Sequence, residues 1–332
     1  MVDKQFSFPA KLWYIYTMSK QKTINDINKE AGKKVICYGK DILDQEVEFA
    51  PTGIRSLDAA IGGGLPRGRV IEVHGLQSTS KTSLCLSMIA KYQKDGYTCA
   101  FADVEYALNL RHAQSIGVNT DELLIIQADY AEEIFETIET IVREKQADFI
   151  VIDSMSALVT RAEAEAETGK ATMGGQARLI SQALRKLIGL LAKNKTTLIC
   201  INQLRMNLMG GQYDPYIASG GMAMRFYTSV ILQTKRDKSI TQGGNLIGYV
   251  INILVKKNKV GPPGGKGQAK LIFETGFSAE SDIIDEALEK GIVIKEGNTY
   301  MFGDIKLGVG ENRARNYLVK NPNISEQISA LL

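Results

Sequence analysis

Short apolar segments alternate with amphipathic segments through the middle of the chain. The apolar segments are Val70–Val73, Thr98–Ala102, Phe149–Ile152, Leu198–Ile201, Val230–Leu232 and Val250–Val255. Several are almost continuously apolar, which is typical of strands buried on both faces of a sheet. The segments with helical periodicity are Thr82–Lys94, Glu132–Glu144 and Gly175–Lys193. This alternation predicts an α/β fold whose mostly parallel central sheet is flanked by helices.

The pattern changes towards both ends of the chain. Gln21–Gly32 predicts a short polar helix and Val35–Tyr38 a strand. The last apolar segments follow one another without a long helix, which indicates an antiparallel extension at one sheet edge. We therefore expect an N-terminal segment over residues 1–45, a core over 46–277 and a small α+β domain over 278–332.

The C-terminal domain is predicted from its own pattern. Asp282–Lys290 has helical periodicity, and Ile292–Leu307 predicts a β-hairpin that turns at Gly297-Asn298. Two short helices are expected to complete the domain.

Composition excludes several classes of protein. The hydrophobic fraction is 44%, and no apolar run approaches the roughly 18 residues that span a bilayer, so no membrane partner is expected. The four cysteines form no C-x-x-C pair, which indicates free thiols and a reducing cytoplasm. Two histidines exclude a His-rich metal site. A net charge of +3 is too small to indicate a nucleic-acid partner by itself.

A glycine-led loop joins the first predicted core strand to a helix. It consists of Gly75, Leu76, Gln77, Ser78, Thr79, Ser80, Lys81 and Thr82, with Ser83 following. A P-loop reads G-x-x-x-x-G-K-[ST], because backbone N–H groups surround phosphates, the lysine reaches them and the hydroxyl binds Mg²⁺. Ser80 replaces the second glycine, which normally permits close backbone approach to phosphate. The alternative is a serine-rich loop that only caps a helix.

Two further predicted strands end in carboxylates. Asp153 ends the apolar strand Phe149–Ile152, which is the Walker B pattern for supporting Mg²⁺. Glu105 follows the strand that ends near Ala102 and is a candidate to polarise an attacking water. The alternative for each is a solvated carboxylate at a strand end.

These motifs belong to a longer ordered set. The set comprises Thr52-Gly53, Ser56–Asp58, Gly63–Arg69, the P-loop, Cys99–Leu108, Asp153-Ser154, Ile201–Met206, Gly220-Gly221 and Lys257–Lys259. In order and spacing, from about residue 50 to 260, the chain resembles the bacterial RecA family. The resemblance implies a RecA-type ATPase core that binds ATP and Mg²⁺, with an N-terminal segment for subunit polymerisation.

The resemblance also implies individual roles. Gln203 would sense the γ-phosphate, and Lys257 and Lys259 would reach the ATP of a neighbouring subunit; without the resemblance, the two lysines are a solvated strand end. Asn109 and His112 occupy the positions where an aspartate and a tyrosine usually contact adenine. Together with Ser80, they point to a divergent member, such as one encoded by a phage or mobile element.

Two glycine-containing segments, about residues 163–175 and 204–221, look poorly suited to packed structure. The resemblance implies that they are DNA-binding loops. The candidate DNA-binding residues are Met173, Gly174, Arg178, Ser181, Arg185, Arg205, Leu208, Gly220 and Gly221. Apolar side chains at Met173 and Leu208 would wedge between bases, glycine N–H groups would bind phosphates, and the arginines would add charge-assisted contacts. The alternative for Arg178 and Arg185 is a solvated helix face.

The resulting expectation is an ATP-dependent recombinase. It would form a head-to-tail filament on single-stranded DNA, with the Gln21–Gly32 helix docked on the adjacent core, and exchange strands with homologous double-stranded DNA. Two alternatives share parts of the pattern. One is a ring-forming hexameric helicase or KaiC-like ATPase of the same fold. The other is a DNA-binding mediator with weak ATPase activity, in which Ser80 has impaired the P-loop.

Overall fold

The N-terminal unit, Met1–Val47, contains two helices within the residues that the structure describes. The computed structural model describes residues 22–43, 47–167, 174–206, 216–218 and 221–332. Helix α1 covers residues 22–30 and α2 covers Lys40–Leu43. The strand predicted over Val35–Tyr38 is wrong. The Asn28 side chain accepts hydrogen bonds from the backbone N–H groups of Val35 and Ile36, so this extended segment bonds to α1 instead of to a strand.

The larger unit, Glu48–Leu332, alternates strands and helices as predicted. Its strands are β1 Phe49–Ala50, β2 Leu65–Pro66, β3 Val70–Gly75, β4 Cys99–Asp103, β5 Leu124–Ile126, β6 Phe149–Asp153, β7 Thr197–Met206, β8 Tyr216–Ala218, β9 Val230–Gln242, β10 Asn245–Asn258, β11 Lys266–Ile272, β12 Gly276–Phe277, β13 Ile294–Glu296, β14 Thr299–Phe302 and β15 Ile305–Val309. Its helices are α3 Arg55–Ile61, α4 Lys81–Lys94, α5 Leu110–Ile116, α6 Ala131–Arg143, α7 Arg161–Ala164, α8 Gly175–Asn194, α9 Gly221–Tyr227, α10 Ala279–Glu289, α11 Glu311–Lys320 and α12 Pro322–Ala330.

One large sheet organises this unit. Its strand order is β12-β11-β10-β9-β3-β7-β6-β4-β5. The strands from β9 to β5 run parallel, whereas β10, β11 and β12 add in antiparallel fashion. This confirms the parallel sheet and its antiparallel extension. Apolar side chains of α3, α4 and α5 bury one face of the sheet, and those of α6 and α8 bury the other.

The carboxyl ends of four neighbouring strands meet at one edge of the sheet. Gly75 of β3 is in register with Gln203 of β7, and Asp103 of β4 with Asp153 of β6. Ligands of open α/β sheets bind at this edge, where loops leave the strands. The fold therefore collects the candidate nucleotide residues in one place.

The C-terminal elements have their own apolar core. Ile284 of α10, Tyr300 of β14, Leu307 of β15 and Leu318 of α11 are buried together. The predicted turn at Gly297-Asn298 joins β13 to β14, but the predicted hairpin is incomplete because β15 pairs with β14 as a third strand.

Asp282 of α10 supplies the cap that α3 lacks. The N-cap residue of α3, Ile54, has no side-chain acceptor, and an Asp282 carboxylate oxygen instead accepts a hydrogen bond from the Arg55 N–H group. Burial raises the pKa of Asp282 to about 6, although the amides of Arg55 and Ser56 act in the opposite direction.

A carboxyl pKa raised by folding costs stability as pH rises through it. Asp282→Asn keeps an acceptor for the helix without a buried charge. We expect it to raise the free energy of unfolding by about 1–2 kcal/mol at pH 7.5. The difference should vanish below about pH 3, where Asp282 is protonated in both the folded and the unfolded protein. Urea unfolding across this pH range measures the difference in free energy of unfolding. A difference independent of pH would show that burial of the Asp282 charge does not cause it.

Candidate nucleotide site and DNA-facing surface

The loop between β3 and α4 encloses a pocket of about 220 Å³ at the carboxyl edge of the sheet. Its lining residues are Gln77, Ser78, Thr79, Ser80, Lys81, Thr82, Ser83, Glu105, Asp153, Ile201 and Gln203. Ser78 and Ser80 both have left-handed backbone conformations, with φ of 57° and 64°. Serine therefore takes the conformation for which a P-loop normally uses glycine, at a cost of about 1 kcal/mol.

Lys81 lies inside this loop. Its Nζ donates to the carbonyl oxygens of Gly75 at 3.2 Å and Leu76 at 2.9 Å. Burial lowers the pKa of the Lys81 ammonium, while the charges of Asp153 and Glu105 favour protonation. A cation is thus held among backbone groups at the N-terminus of α4, where the helix dipole adds positive potential.

Two sets of hydrogen bonds join the side chains at the strand ends. Thr82 Oγ1 donates to Asp153 Oδ2 at 2.5 Å. Glu105 Oε1 accepts from Ser154 Oγ at 2.7 Å and from Gln203 Nε2 at 3.4 Å. The structure thus brings together residues that are far apart in sequence, from α4, β6, β7 and the segment after β4.

The carboxylate beside Thr82 is held in a low-polarity environment. Burial raises the pKa of Asp153 to about 6, the Thr82 hydrogen bond opposes this, and the Glu105 charge adds to it. No group of three His, Cys, Asp or Glu side chains able to hold a metal occurs in the described part of the chain. A hydroxyl and one carboxylate nevertheless fit Mg²⁺, which takes most of its remaining ligands from water and phosphate.

A second pocket of about 270 Å³ adjoins the loop on the α5 side. It is lined by Ser78, Ser80, Ser83, His112, Arg236, Tyr249, Leu271 and Phe273. His112 of α5 is part of this lining. Asn109 is not in this lining, and its Oδ1 caps α5 by accepting from the His112 N–H group at 3.1 Å.

No pattern in the sequence indicates the wall of this pocket that β9, β10, β11 and the residue after β11 provide. Arg236, Tyr249 and Phe273 belong to no local motif. Only the antiparallel pairing of these strands brings them to the loop.

Lys257 and Lys259 lie at the opposite edge of the sheet from the loop. Lys257 is in register with Ile231 of β9, beside the start of β3, whereas the loop follows the end of β3. Ile231 pairs with Glu72 of β3, three residues before Gly75, so Lys257 lies about 10 Å along the strand from the start of the loop, and Lys259 lies further away. Both ammonium groups donate to carbonyl oxygens at the end of α9, Lys257 to Arg225 and Lys259 to Phe226. Neither lysine belongs to the pocket of its own chain.

The candidate DNA residues that the structure describes lie around α8 and β7. Arg178, Arg185 and Arg205 are exposed. Arg185 donates to the Tyr227 hydroxyl at 3.2 Å, and hydrogen bonds from Arg185 and Ser181 lower the pKa of Tyr227.

The described parts of the two glycine-containing segments include regular secondary structure that the sequence does not predict. Gly174 has a φ of 80° and precedes α8, while Gly221 begins α9. In the second segment, Leu204–Met206 pairs with Tyr216–Ala218 as a β-hairpin stem. The candidates Met173, Leu208 and Gly220 lie outside the described residues.

Comparison with protein families covers nearly the whole chain. The RecA N-terminal domain matches residues 19–278, and the RecA C-terminal domain matches residues 281–332. The chain belongs to the RecA family. It is 44% identical over 307 residues to Protein RecA of Syntrophus aciditrophicus, which is 92% of this chain and 90% of that protein. It is 42% identical over 318 residues to Protein RecA of Geobacter sulfurreducens, covering 94% of each.

RecA-family membership confirms the predicted fold and the predicted class of function. The family catalyses DNA strand exchange in recombination and repair, and its members are DNA-dependent ATPases. Among the described residues, no helix has both the length and the apolar character needed to cross a bilayer.

Proposed function

We propose that this RecA-family chain polymerises head to tail on single-stranded DNA and uses ATP and Mg²⁺ while pairing that strand with homologous double-stranded DNA. The proposal rests on one observation: the P-loop and the pair Lys257 and Lys259 lie at opposite edges of one sheet. Each subunit then completes its neighbour's site rather than its own. Repeating one such contact produces an open helical polymer.

In this proposal, the loop residues bind ATP and the strand-end residues act on it. Lys81 contacts the phosphates, and Thr82 and Asp153 hold Mg²⁺ through oxygen, partly by way of water. When bound, Mg²⁺ supplies neutralisation of phosphate charge. The hydrogen-bonded contact between Thr82 and Asp153 supports this pairing. The second pocket receives the base, with the His112 ring stacking on it and Asn109 positioning α5.

Glu105 orients the attacking water and accepts its proton. Gln203 shares the Glu105 carboxylate oxygen, so a change at the γ-phosphate reaches β7 directly. Because β7 continues into the hairpin with β8, the presence of ATP is transmitted to the segment proposed to bind DNA. Contacts that differ between the ATP and ADP states then shift the DNA affinity.

DNA is proposed to run past α8 and the β7–β8 hairpin. The exposed guanidinium groups of Arg178, Arg185 and Arg205 contact phosphates, which gives sequence-independent binding. Further polar contacts to DNA come from Ser181, Gly174, Gly220 and Gly221. Met173 and Leu208 insert between bases.

The N-terminal unit is proposed to make the filament contact. Its extended segment exposes Val35 and Ile36 without pairing to a strand in the described residues. The edge strand β5 pairs on one side only, with β4, and exposes Leu124 and Ile125. These exposed apolar side chains are proposed to pack together between neighbouring subunits, because the backbone N–H groups of Val35 and Ile36 are already bonded to Asn28.

ATP turnover with and without single-stranded DNA tests the proposal. We expect DNA to stimulate turnover and Lys81→Ala to lower it by at least about 10²-fold, since the lysine neutralises the transferring phosphate. Lys94→Ala, at the far end of the same helix, serves as the control. The proposal would be contradicted if DNA did not stimulate turnover and Lys81→Ala did not lower it.

Ser80→Gly restores the family pattern at the loop. Glycine adopts the left-handed conformation without steric cost, so the ATP-competent loop becomes easier to form. We expect the KM for ATP to fall by up to about fivefold, since 1.4 kcal/mol corresponds to tenfold in affinity and the strain is about 1 kcal/mol. Steady-state kinetics measure this, and an unchanged or higher KM would show that the serine imposes no strain on binding.

A further inference from the structure

The loop around Lys81 contains two residues in a conformation that only glycine adopts freely. Ser78 and Ser80 have φ of 57° and 64°. Non-glycine residues in this region persist where surrounding contacts determine the backbone. Contacts from outside the loop are therefore needed to hold it in shape.

The part of β9 beside the end of β3 provides such contacts. Arg236 Nη2 donates to the Ser78 carbonyl oxygen at 2.6 Å, and the hydroxyl oxygens of Thr234 and Thr79 lie 2.8 Å apart. Thr234 and Arg236 alternate along β9 and so project from the same face. The approach is close, because a Cβ on Gly75 would lie 2.5 Å from the Thr234 hydroxyl oxygen. This explains the glycine at position 75 in terms of β9.

An aromatic side chain on the next strand fixes the arginine. The Arg236 guanidinium carbon lies 3.8 Å from the centroid of the Tyr249 ring. That ring packs edge-on against Phe273 with centroids 5.4 Å apart. A guanidinium stacked on a ring that is itself packed loses much of its conformational freedom, so its hydrogen bond to the loop costs less entropy.

We propose that Thr234, Arg236 and Tyr249 form a latch that positions the P-loop backbone for phosphate binding and offsets the serine at position 80. The latch rests on the proposed nucleotide site and adds a regulator of ATP affinity to it. Thr234 and Arg236 act on the loop through Thr79 and Ser78. Arg236 and Tyr249 also line the second pocket, so the Ser80→Gly cycle below separates the latch from direct contact with the base. The latch therefore affects the KM for ATP much more than kcat.

Arg236→Met tests the latch with the full-length protein on single-stranded DNA. We expect the KM for ATP to rise roughly tenfold, as for the loss of one charge-assisted hydrogen bond, with kcat changed by less than about twofold. Lys235→Met is the matched control, since its side chain projects from the other face of β9, and it should retain the wild-type KM. Tyr249→Phe keeps a ring beneath the guanidinium and should lose less affinity than Tyr249→Leu. A wild-type KM in Arg236→Met, or equal losses in the two Tyr249 variants, would overturn the latch.

A double-mutant cycle tests whether the latch offsets Ser80. In a Ser80→Gly background, Arg236→Met should raise KM only about threefold, because the glycine loop needs less external support. Equal effects in both backgrounds would overturn this part of the inference. Lys81→Ala separates the latch from the proposed function. If Lys81→Ala is inactive while Arg236→Met has a normal KM, only the latch fails; if Lys81→Ala is fully active, the nucleotide site itself fails.

Discussion

Replacing both Lys257 and Lys259 by alanine is expected to lower DNA-stimulated ATP turnover by about 10³-fold, the lower end of the effect of an arginine finger. The two ammonium groups lie toward the opposite ends of the strands from their own loop, and in the proposed filament they neutralise phosphate charge across a subunit contact. Each variant subunit keeps an intact P-loop, so its affinity for ATP should fall far less than its turnover. Steady-state turnover and equilibrium nucleotide binding separate the two effects.

Mixing variants tests whether the lysines act between subunits. Lys81→Ala lacks the cation of its own loop. The variant without Lys257 and Lys259 keeps its loop but lacks the cations proposed to act on the neighbouring subunit's ATP. In an equimolar mixed filament, about a quarter of the contacts join an intact loop to an intact lysine pair, so turnover should recover to about that fraction of wild type. Lys256→Ala, on the same strand, should retain wild-type turnover alone. No recovery on mixing would contradict action between subunits.

Glu105→Gln should lower kcat by about 10²- to 10⁴-fold, the usual contribution of a general base. Glutamine keeps the size of the side chain and an oxygen that accepts from Ser154, so the KM for ATP should change little. Single-turnover hydrolysis on single-stranded DNA measures the chemical step. Glu136→Gln, an exposed carboxylate on α6, is the control for loss of charge alone. A kcat within about threefold of wild type would show that Glu105 does not activate the attacking water.

The nucleotide loop and the strand-end carboxylates could be predicted from sequence for a physical reason. Neighbouring parallel strands place their carboxyl ends at one edge, so a motif after β3 and carboxylates after β4 and β6 must converge. The wall containing Arg236 and Tyr249 could not be found this way. Its position depends on the antiparallel register of long strands, which no local pattern specifies.

Two predictions of local structure, the strand over Val35–Tyr38 and the hairpin over Ile292–Leu307, differ from the structure. Val35–Tyr38 has strand-like residues, but the Asn28 side chain competes for the backbone groups that a strand would use. The apolar pattern predicts β15 as part of the second arm of a hairpin, but a turn separates β15 from β14 and the two pair as separate strands. The position of Lys257 near the start of β3 also depends on long-range pairing, because β10 runs antiparallel to β9.

Strand exchange tests the central claim most directly. The full-length protein, single-stranded DNA and ATP with Mg²⁺ are combined with a labelled duplex, and transfer of the labelled strand is followed over time. We expect transfer only when the duplex is homologous to the single strand, with none for a heterologous duplex and none for the Lys81→Ala variant. Equal transfer from homologous and heterologous duplexes, or no transfer by a protein that binds DNA and hydrolyses ATP, would contradict it.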